Sequence, residues 1–290
     1  MRYEGIVIRP PSEAGSLILQ ATLGCSHNRC TFCPTYKTKR FRIRTLQQIK
    51  DDLSSAKGYQ RVRRVFLADG DALIVPQRML VPIMEEIREA FPDLERVGVY
   101  GNAKSILKKG PGELRELKEM GLGIVYLGLE SGDPEVLTEI RKGVGIDAMI
   151  EAARRVKDAG VKLSVTVLLG IAGRIGGARH AEATGAVLSR MDPDYIGALT
   201  LMLVPGTPLH GVYERGEFSL PDTMGLLEEL WVMLSHIQVT ECLFTSNHAS
   251  NYLPLRIRLP HEKQEALALI RHILERDRTD LLRPEYLRGL

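Results

Sequence analysis

The sequence predicts a mostly parallel α/β fold: a partial barrel of strand–helix repeats, followed by a small α+β extension. Two observations carry this expectation. Apolar, β-branched runs alternate with amphipathic stretches from residue 16 to residue 203, and the chemically suggestive residues stand just after those runs. Strand–helix alternation builds right-handed βαβ units, whose strands lie parallel. Six such strands in roughly 190 residues suit a parallel barrel or part of one better than an antiparallel sandwich. An open doubly wound sheet is the alternative, since alternation alone does not say whether a sheet curls.

The elements follow in order. SLILQATL (16–23) reads as the first strand and leads to a helical pattern over about 45–57. VRRVFLAD (62–69) leads to a helix over 76–91, ERVGVYG (95–101) to one over 111–120, and GIVYLGLE (123–130) to one over 133–158. VKLSVTVLLG (161–170) precedes a helix over 176–190, and DYIGALTLML (194–203) closes the series. In IDAMIEAARRVKDAG, Asp147 is expected to cap the helix and Gly160 to lie past its end. After LVPGTPLHG the rhythm changes: helices over 222–238 and 261–276 flank ECLFTSNHASNYLPLRIRLP, a strand-and-loop stretch rich in Ser and Asn. The expected division is 1–205 for the barrel and 206–290 for an extension packed on it.

Composition sets limits. The chain has 290 residues, 44% hydrophobic and 26% charged, an ordinary globular balance with enough chain for a sizeable core. A net charge of +3 argues against a broad nucleic-acid surface. No apolar run approaches the roughly 20 residues of a membrane-spanning helix, so no membrane partner is expected. MRYEGIVIRPPSEAG lacks the apolar core and small-residue cleavage site of a secretory signal. The expected compartment is the cytoplasm, where thiols stay reduced.

Three of the four cysteines, Cys25, Cys30 and Cys33, crowd into GCSHNRCTFC. Zinc is one reading, with His27 completing a Cys₃His set, but structural zinc draws its ligands from paired clusters and no second pair is present. Three thiolates with no fourth protein ligand fit better a [4Fe–4S] cluster that keeps one iron open. In a parallel α/β fold, ligands gather at the C-terminal ends of the strands. There the sequence places the cysteine loop, ADGDA, GNAKS, LESGD, GIAGR and VPGTP.

These residues resemble the radical S-adenosylmethionine (SAM) superfamily. Within it they look closest to the subgroup of oxygen-independent coproporphyrinogen oxidase, the methylthiotransferases and the Elongator catalytic subunit. The likeness spans about residues 16–210 and rests on GCSHNRCTFC, YLGLESGDPEVLTEIRKG and AARRVKDAGVKLSVTVLLGIAG in that order. The spacing here is C-x₄-C-x₂-C, one residue longer than the commonest family form; a loop with one extra residue still lets three thiolates reach three irons. The resemblance implies a partial parallel (β/α)₆ TIM-like barrel, with Cys25, Cys30 and Cys33 holding the cluster. The open iron would chelate SAM, and one electron would release a 5′-deoxyadenosyl radical that abstracts hydrogen from substrate. A flavodoxin- or ferredoxin-type protein would supply that electron.

Further roles come from the same resemblance. Phe32 would set its backbone against the adenine, and the backbone oxygens of Asp69-Gly70-Asp71 would accept from the SAM ammonium. Glu130, helped by Ser131, would accept the ribose hydroxyls; Arg141 or Lys142 would meet the SAM carboxylate; Gly170 would let the backbone approach the adenine. Asn102 and Ser105 are further polar candidates. Cys242 has two readings, a small buried side chain or a hydrogen donor to a substrate radical. SNHASNY, with His248, either lines a substrate pocket or binds SAM from the extension, or is a self-satisfied turn. YKTKRFRIR is either a grip for phosphate or RNA or a solvated face. With only Cys242 left over, a second three-cysteine cluster has no ligands. The leading expectation is a small organic substrate, with RNA second and a non-catalytic metal or haem carrier third.

Overall fold

The computed structural model describes residues 1–56, 58 and 61–289. The chain forms two compact units, one of residues 1–28, 35–127 and 151–163, the other of 29–34, 128–150 and 164–290.

The first unit contains β1 (Leu17–Gln20), β2 (Thr22–Leu23), β3 (Arg42–Ile43), α1 (Leu46–Ala56), β4 (Arg64–Ala68), α2 (Gln77–Ala90), β5 (Arg96–Tyr100), α3 (Ala103–Lys108), α4 (Pro111–Glu119) and most of β6 (Leu122–Glu130). β1, β4, β5 and β6 pair side by side, all parallel, while β2 and β3 make a short antiparallel ribbon. Strands covered on both faces read as continuous apolar runs, and Val65, Phe66, Leu67 and Ala68 of β4 are all buried. α2 covers its sheet with Leu80, Ile83, Met84 and Ile87, the i, i+3, i+4, i+7 stripe of an amphipathic helix. Beneath α1 lies a buried ion pair. Arg44 Nη1 donates to Asp52 Oδ2 at 2.6 Å and to the Gln20 carbonyl at 3.0 Å, and the two side chains are 5% and 3% exposed.

The second unit holds α5 (Pro134–Glu139), the start of α6 (Ile146–Asp158), most of β7 (Lys162–Leu169), α7 (Gly173–Met191), β8 (Tyr195–Thr200), α8 (Pro208–Glu214), α9 (Thr223–His236), β9 (Cys242–Thr245), β10 (Arg256–Leu259) and α10 (Lys263–Arg276). β7, β8 and β9 run parallel, and β10 returns antiparallel to β9. Asp133 and Thr207 cap α5 and α8 through their side chains, each followed by proline at the first helical position, where its missing N–H costs nothing. α7 and α9 approach closely because α7 carries glycine at the contact. A Cβ on Gly185 would stand 2.7 Å from the Met233 carbonyl oxygen.

The six expected barrel strands are present, and the sheet is mostly parallel with helices around it. The helix expected over 133–158 is instead two helices. Between α5 and α6, Arg141 and Gly143 take φ of 54° and 73°, and a right-handed helix cannot pass through left-handed backbone. Asp147 consequently lies in the first turn of α6 rather than capping it, where its charge still favours the helix N-terminus. Gly160 does follow α6, with φ of 74°. The strand expected over 16–23 is broken at Ala21 into β1 and β2. Lys57, the end of the helix expected over 45–57, lies outside the described residues. Among the described residues, no helix is long and apolar enough to cross a membrane.

Candidate functional site

In the first unit, the polar residues sit where β4 and β5 end. Asp69 and Asp71 are fully buried. The Asp69 carboxylate accepts from Gln20 Nε2 (3.0 Å), the Gly24 N–H (2.8 Å) and Lys39 Nζ (2.9 Å). The Asp71 carboxylate accepts from the hydroxyls of Ser26 and Ser105, and from Asn102 through its Nδ2 (2.6 Å) and its N–H (3.0 Å). Burial pushes the Asp71 carboxyl above the usual carboxylate range, against the pull of those donors. Asn102 also caps α3 by accepting from the Ser105 N–H. Asn102 and Ser105 are thus drawn together around Asp71. Ser26, one residue past Cys25, completes the same cluster, and the sequence offered no signal for it beyond that adjacency.

Gly70 is a close-approach glycine. A Cβ there would meet the Tyr36 ring at 2.5 Å and the Cys25 Cβ at 3.2 Å, so only glycine lets the β4 turn lie against the cysteine.

The second unit holds the other half of the cysteine motif. The Thr31 N–H donates to the Ile140 carbonyl and the Leu209 N–H to the Thr31 carbonyl, both at 3.0 Å. Phe32 packs on a core of Val136, Leu137, Ile140, Leu168, Ile171, Leu201 and Leu209. These contacts anchor the two residues that lie between Cys30 and Cys33. At the end of β6, Glu130 has φ of 66°, left-handed backbone that a non-glycine residue adopts at a cost. Its Oε1 accepts from Lys142 Nζ at 2.8 Å, both side chains being 12% exposed. Gly128 makes room for this pair, because a Cβ there would lie 2.2 Å from Glu130 Oε1. Ser131 is fully buried, with its hydroxyl 2.7 Å from His180 Nδ1. Gly170 follows β7 with φ of 79°, a conformation suited to glycine.

Gly132 brings the β6 turn hard against α7. A Cβ would stand 2.4 Å from the Ala183 carbonyl oxygen and 2.5 Å from Thr184 Cα, and neither backbone atom has room to retreat. Gly132→Ala is therefore expected to destabilise by about 2 kcal/mol and lower the melting temperature by roughly 4–6 °C in scanning calorimetry.

The remaining candidates lie elsewhere in the second unit. Cys242 is 2% exposed and opens β9, where Leu243 pairs with Tyr195, the first residue of β8. It thus stands level with the strands' N-terminal ends, opposite the edge that carries Glu130 and Gly170. The polar groups of 246–252 bond within their own segment and to its neighbours. Ser246 Oγ donates to the Leu253 carbonyl, Asn251 binds Thr200 and the Ala198 carbonyl, and His248 Nδ1 lies 2.9 Å from Ser250 Oγ. Burial, with Arg283 nearby, pulls the His248 imidazole below its ordinary pKa. The basic run is also occupied in part: Lys39 pairs with Asp69, Arg42 with Glu4 and Arg44 with Asp52.

The donor set fits an iron–sulfur cluster. Cys25, Cys30 and Cys33 are half-buried residues, and three cysteine thiolates are the donor type that such a cluster takes. Among the described residues, no three His, Cys, Asp or Glu side chains stand close enough to share one metal ion; thiolates that each take a different iron of a cube need wider spacing.

Residues 19–174, more than half of the chain, match the radical SAM superfamily, and the chain belongs to it. By class it is an enzyme whose cofactors are a [4Fe–4S] cluster and SAM, and it requires a one-electron donor. The chain is 23% identical over 227 residues to an uncharacterised protein of Methanocaldococcus jannaschii, covering 74% of this chain and 69% of that one. It is 26% identical over 202 residues to the 3-methylornithine synthase of Methanosarcina barkeri, covering 66% of this chain and 53% of that one. A crystal structure of methylornithine synthase shares the fold with a TM-score of 0.54 at 21% identity, over 77% of this chain and 63% of that one. Coproporphyrinogen III oxidase of Escherichia coli does so with a TM-score of 0.54 at 14% identity, over 76% and 52%. The chain spans about half the length of several curated relatives, 40% and 53% for two of them.

Proposed function

We propose that this protein cleaves SAM reductively and uses the 5′-deoxyadenosyl radical to abstract hydrogen from a small organic substrate. The observation that carries the reading is the cysteine loop, in which Cys25, Cys30 and Cys33 are all half-buried and the Thr31 backbone and Phe32 anchor the stretch between Cys30 and Cys33. Cys25, Cys30 and Cys33 would hold the cluster, which when bound supplies the electron to SAM. The chain's own residues bind, orient and exclude water. The backbone of Asp69, Gly70 and Asp71 accepts from the SAM ammonium, kept in shape by the donors that hold the two carboxylates. Glu130 accepts the ribose hydroxyls, oriented by Lys142, and the Phe32 and Gly170 backbones face the adenine.

In this reading residues 1–205 form the catalytic barrel and 206–290 an extension. Cys242 serves as a packed core side chain, and His248 belongs to a self-satisfied turn. A small substrate is favoured over RNA because Lys39, Arg42 and Arg44, three of the five basic residues of YKTKRFRIR, are engaged by carboxylates within the first unit. The test is anaerobic: reconstitute with iron and sulfide, reduce with dithionite, add SAM, and quantify 5′-deoxyadenosine by chromatography. Nucleoside formed above the cluster-free background is the expected result. A well-formed cluster with no nucleoside, in the presence of candidate small molecules, would leave the protein a carrier.

A further inference from the structure

Behind the β6 and β7 turns of the second unit runs a buried polar chain that the proposed reading does not use. His180 of α7 and Glu229 of α9 are 0% and 2% exposed. Ser131 Oγ stands 2.7 Å from His180 Nδ1, and His180 Nε2 stands 3.3 Å from Glu229 Oε1. That same carboxylate oxygen accepts from the Gly170 N–H at 2.8 Å. The Asp133 N–H donates to Ser131 Oγ at 3.0 Å, and the His180 ring lies between Ser131 Oγ and the Glu229 carboxylate, Nδ1 toward the first and Nε2 toward the second. Two helices thereby hold the turn after β6 and the turn after β7 from behind, through side chains alone.

The site is built for this couple. A Cβ on Gly177 would lie 3.1 Å from Glu229 Oε2, so glycine in mid-helix makes room for the carboxylate. Glu229 Oε2 and His180 Nε2 make no well-aligned hydrogen bond despite their burial. Leaving buried polar atoms without hydrogen bonds costs stability, and replacing both partners by apolar groups of the same shape can be nearly neutral. What the couple adds is reach to two turns, Ser131 at one end and the Gly170 N–H at the other.

We propose that His180 and Glu229 are positioning residues that set the Glu130–Ser131 and Gly170 turns in the conformation that binds SAM. The inference rests on the reading of those turns as SAM contacts, and its test separates the two. Prepare cluster-loaded wild type, Glu130→Gln, Glu229→Gln, and the apolar double variant His180→Leu/Glu229→Met, and measure SAM dissociation constants by anaerobic equilibrium dialysis. Measure melting temperature, and hydrogen exchange of residues 168–173, on the same proteins without cofactors.

Glu130→Gln is expected to weaken SAM about tenfold or more, the scale of a lost charge-assisted hydrogen bond. The double variant is expected to melt within a few degrees of wild type, yet to bind SAM about tenfold more weakly and to exchange faster over 168–173. Glu229→Gln, which keeps an acceptor for the Gly170 N–H, is expected to recover most of the affinity. If Glu130→Gln weakens SAM while the double variant does not, the couple is merely structural and the inference fails alone. If neither changes SAM affinity, the reading of the turns fails and takes the inference with it. Should the double variant fail to fold, His180→Asn carries the same comparison.

Discussion

Cys30→Ala is expected to abolish 5′-deoxyadenosine formation, a fall of more than about 100-fold, because loss of a direct ligand exceeds the 10–100-fold typical of outer-sphere partners. Reconstituted variant should also lose the visible absorbance and most of the bound iron that wild type retains. The apoprotein should nevertheless melt within about 1–2 °C of wild type. The reason is local: Cys30 is half-buried, and the loop around it is held by the Thr31 backbone bonds and by Phe32. A lost cluster with an unchanged apoprotein melting temperature assigns the cysteine to the cofactor. A large drop in that temperature would return it to structure.

The second large effect concerns stability. Asp52→Ala removes the partner of Arg44 in an environment where both side chains are almost fully buried. Breaking such a pair from one side leaves an uncompensated charge and costs about 3–5 kcal/mol. The melting temperature should fall by roughly 6–15 °C, read by calorimetry. The Arg2 N–H, which donates to Asp52 Oδ1 at 2.9 Å, loses its acceptor as well, so the N-terminal segment should exchange faster. Combining Asp52→Leu with Arg44→Met removes both charges and should recover much of the loss. Equal damage from the single and double variants would show that packing, not charge, governs the site.

The parallel sheet was legible because its strands are covered on both faces and so read as unbroken apolar runs; VRRVFLAD and VKLSVTVLLG could hardly be anything else. The break at residues 140–145 was not. The stretch DPEVLTEIRKGVGIDAM has helical residues on both sides; Gly143 and Gly145 were its one stop signal, and positive φ at Arg141, a residue type that seldom adopts it, leaves no mark in composition. The cysteine motif stood out because three of the four cysteines crowd into nine residues. The partners of Asp71 were half visible: Asn102 and Ser105 stood out as polar residues after a strand, but their convergence on one buried carboxylate depends on how β4 and β5 end side by side. Glu229 and His180 were invisible. Each is a single polar residue on a helix, indistinguishable in sequence from a solvated one, and only the packing of α7 on α9 turns both inward.

That packing also bears on when the second unit can assemble during synthesis. Gly176, Gly177 and Gly185 lie inside α7, and each weakens an isolated helix by about 1 kcal/mol relative to alanine. A segment with so poor an intrinsic preference stays largely unwound until its partner surface arrives. The partner is α9, which ends at His236, some 45 residues downstream of Met191. Residues at the ends of β6 and β7 therefore emerge from the ribosome well before α9, and the bracing of their turns waits on the later of the two helices to be made.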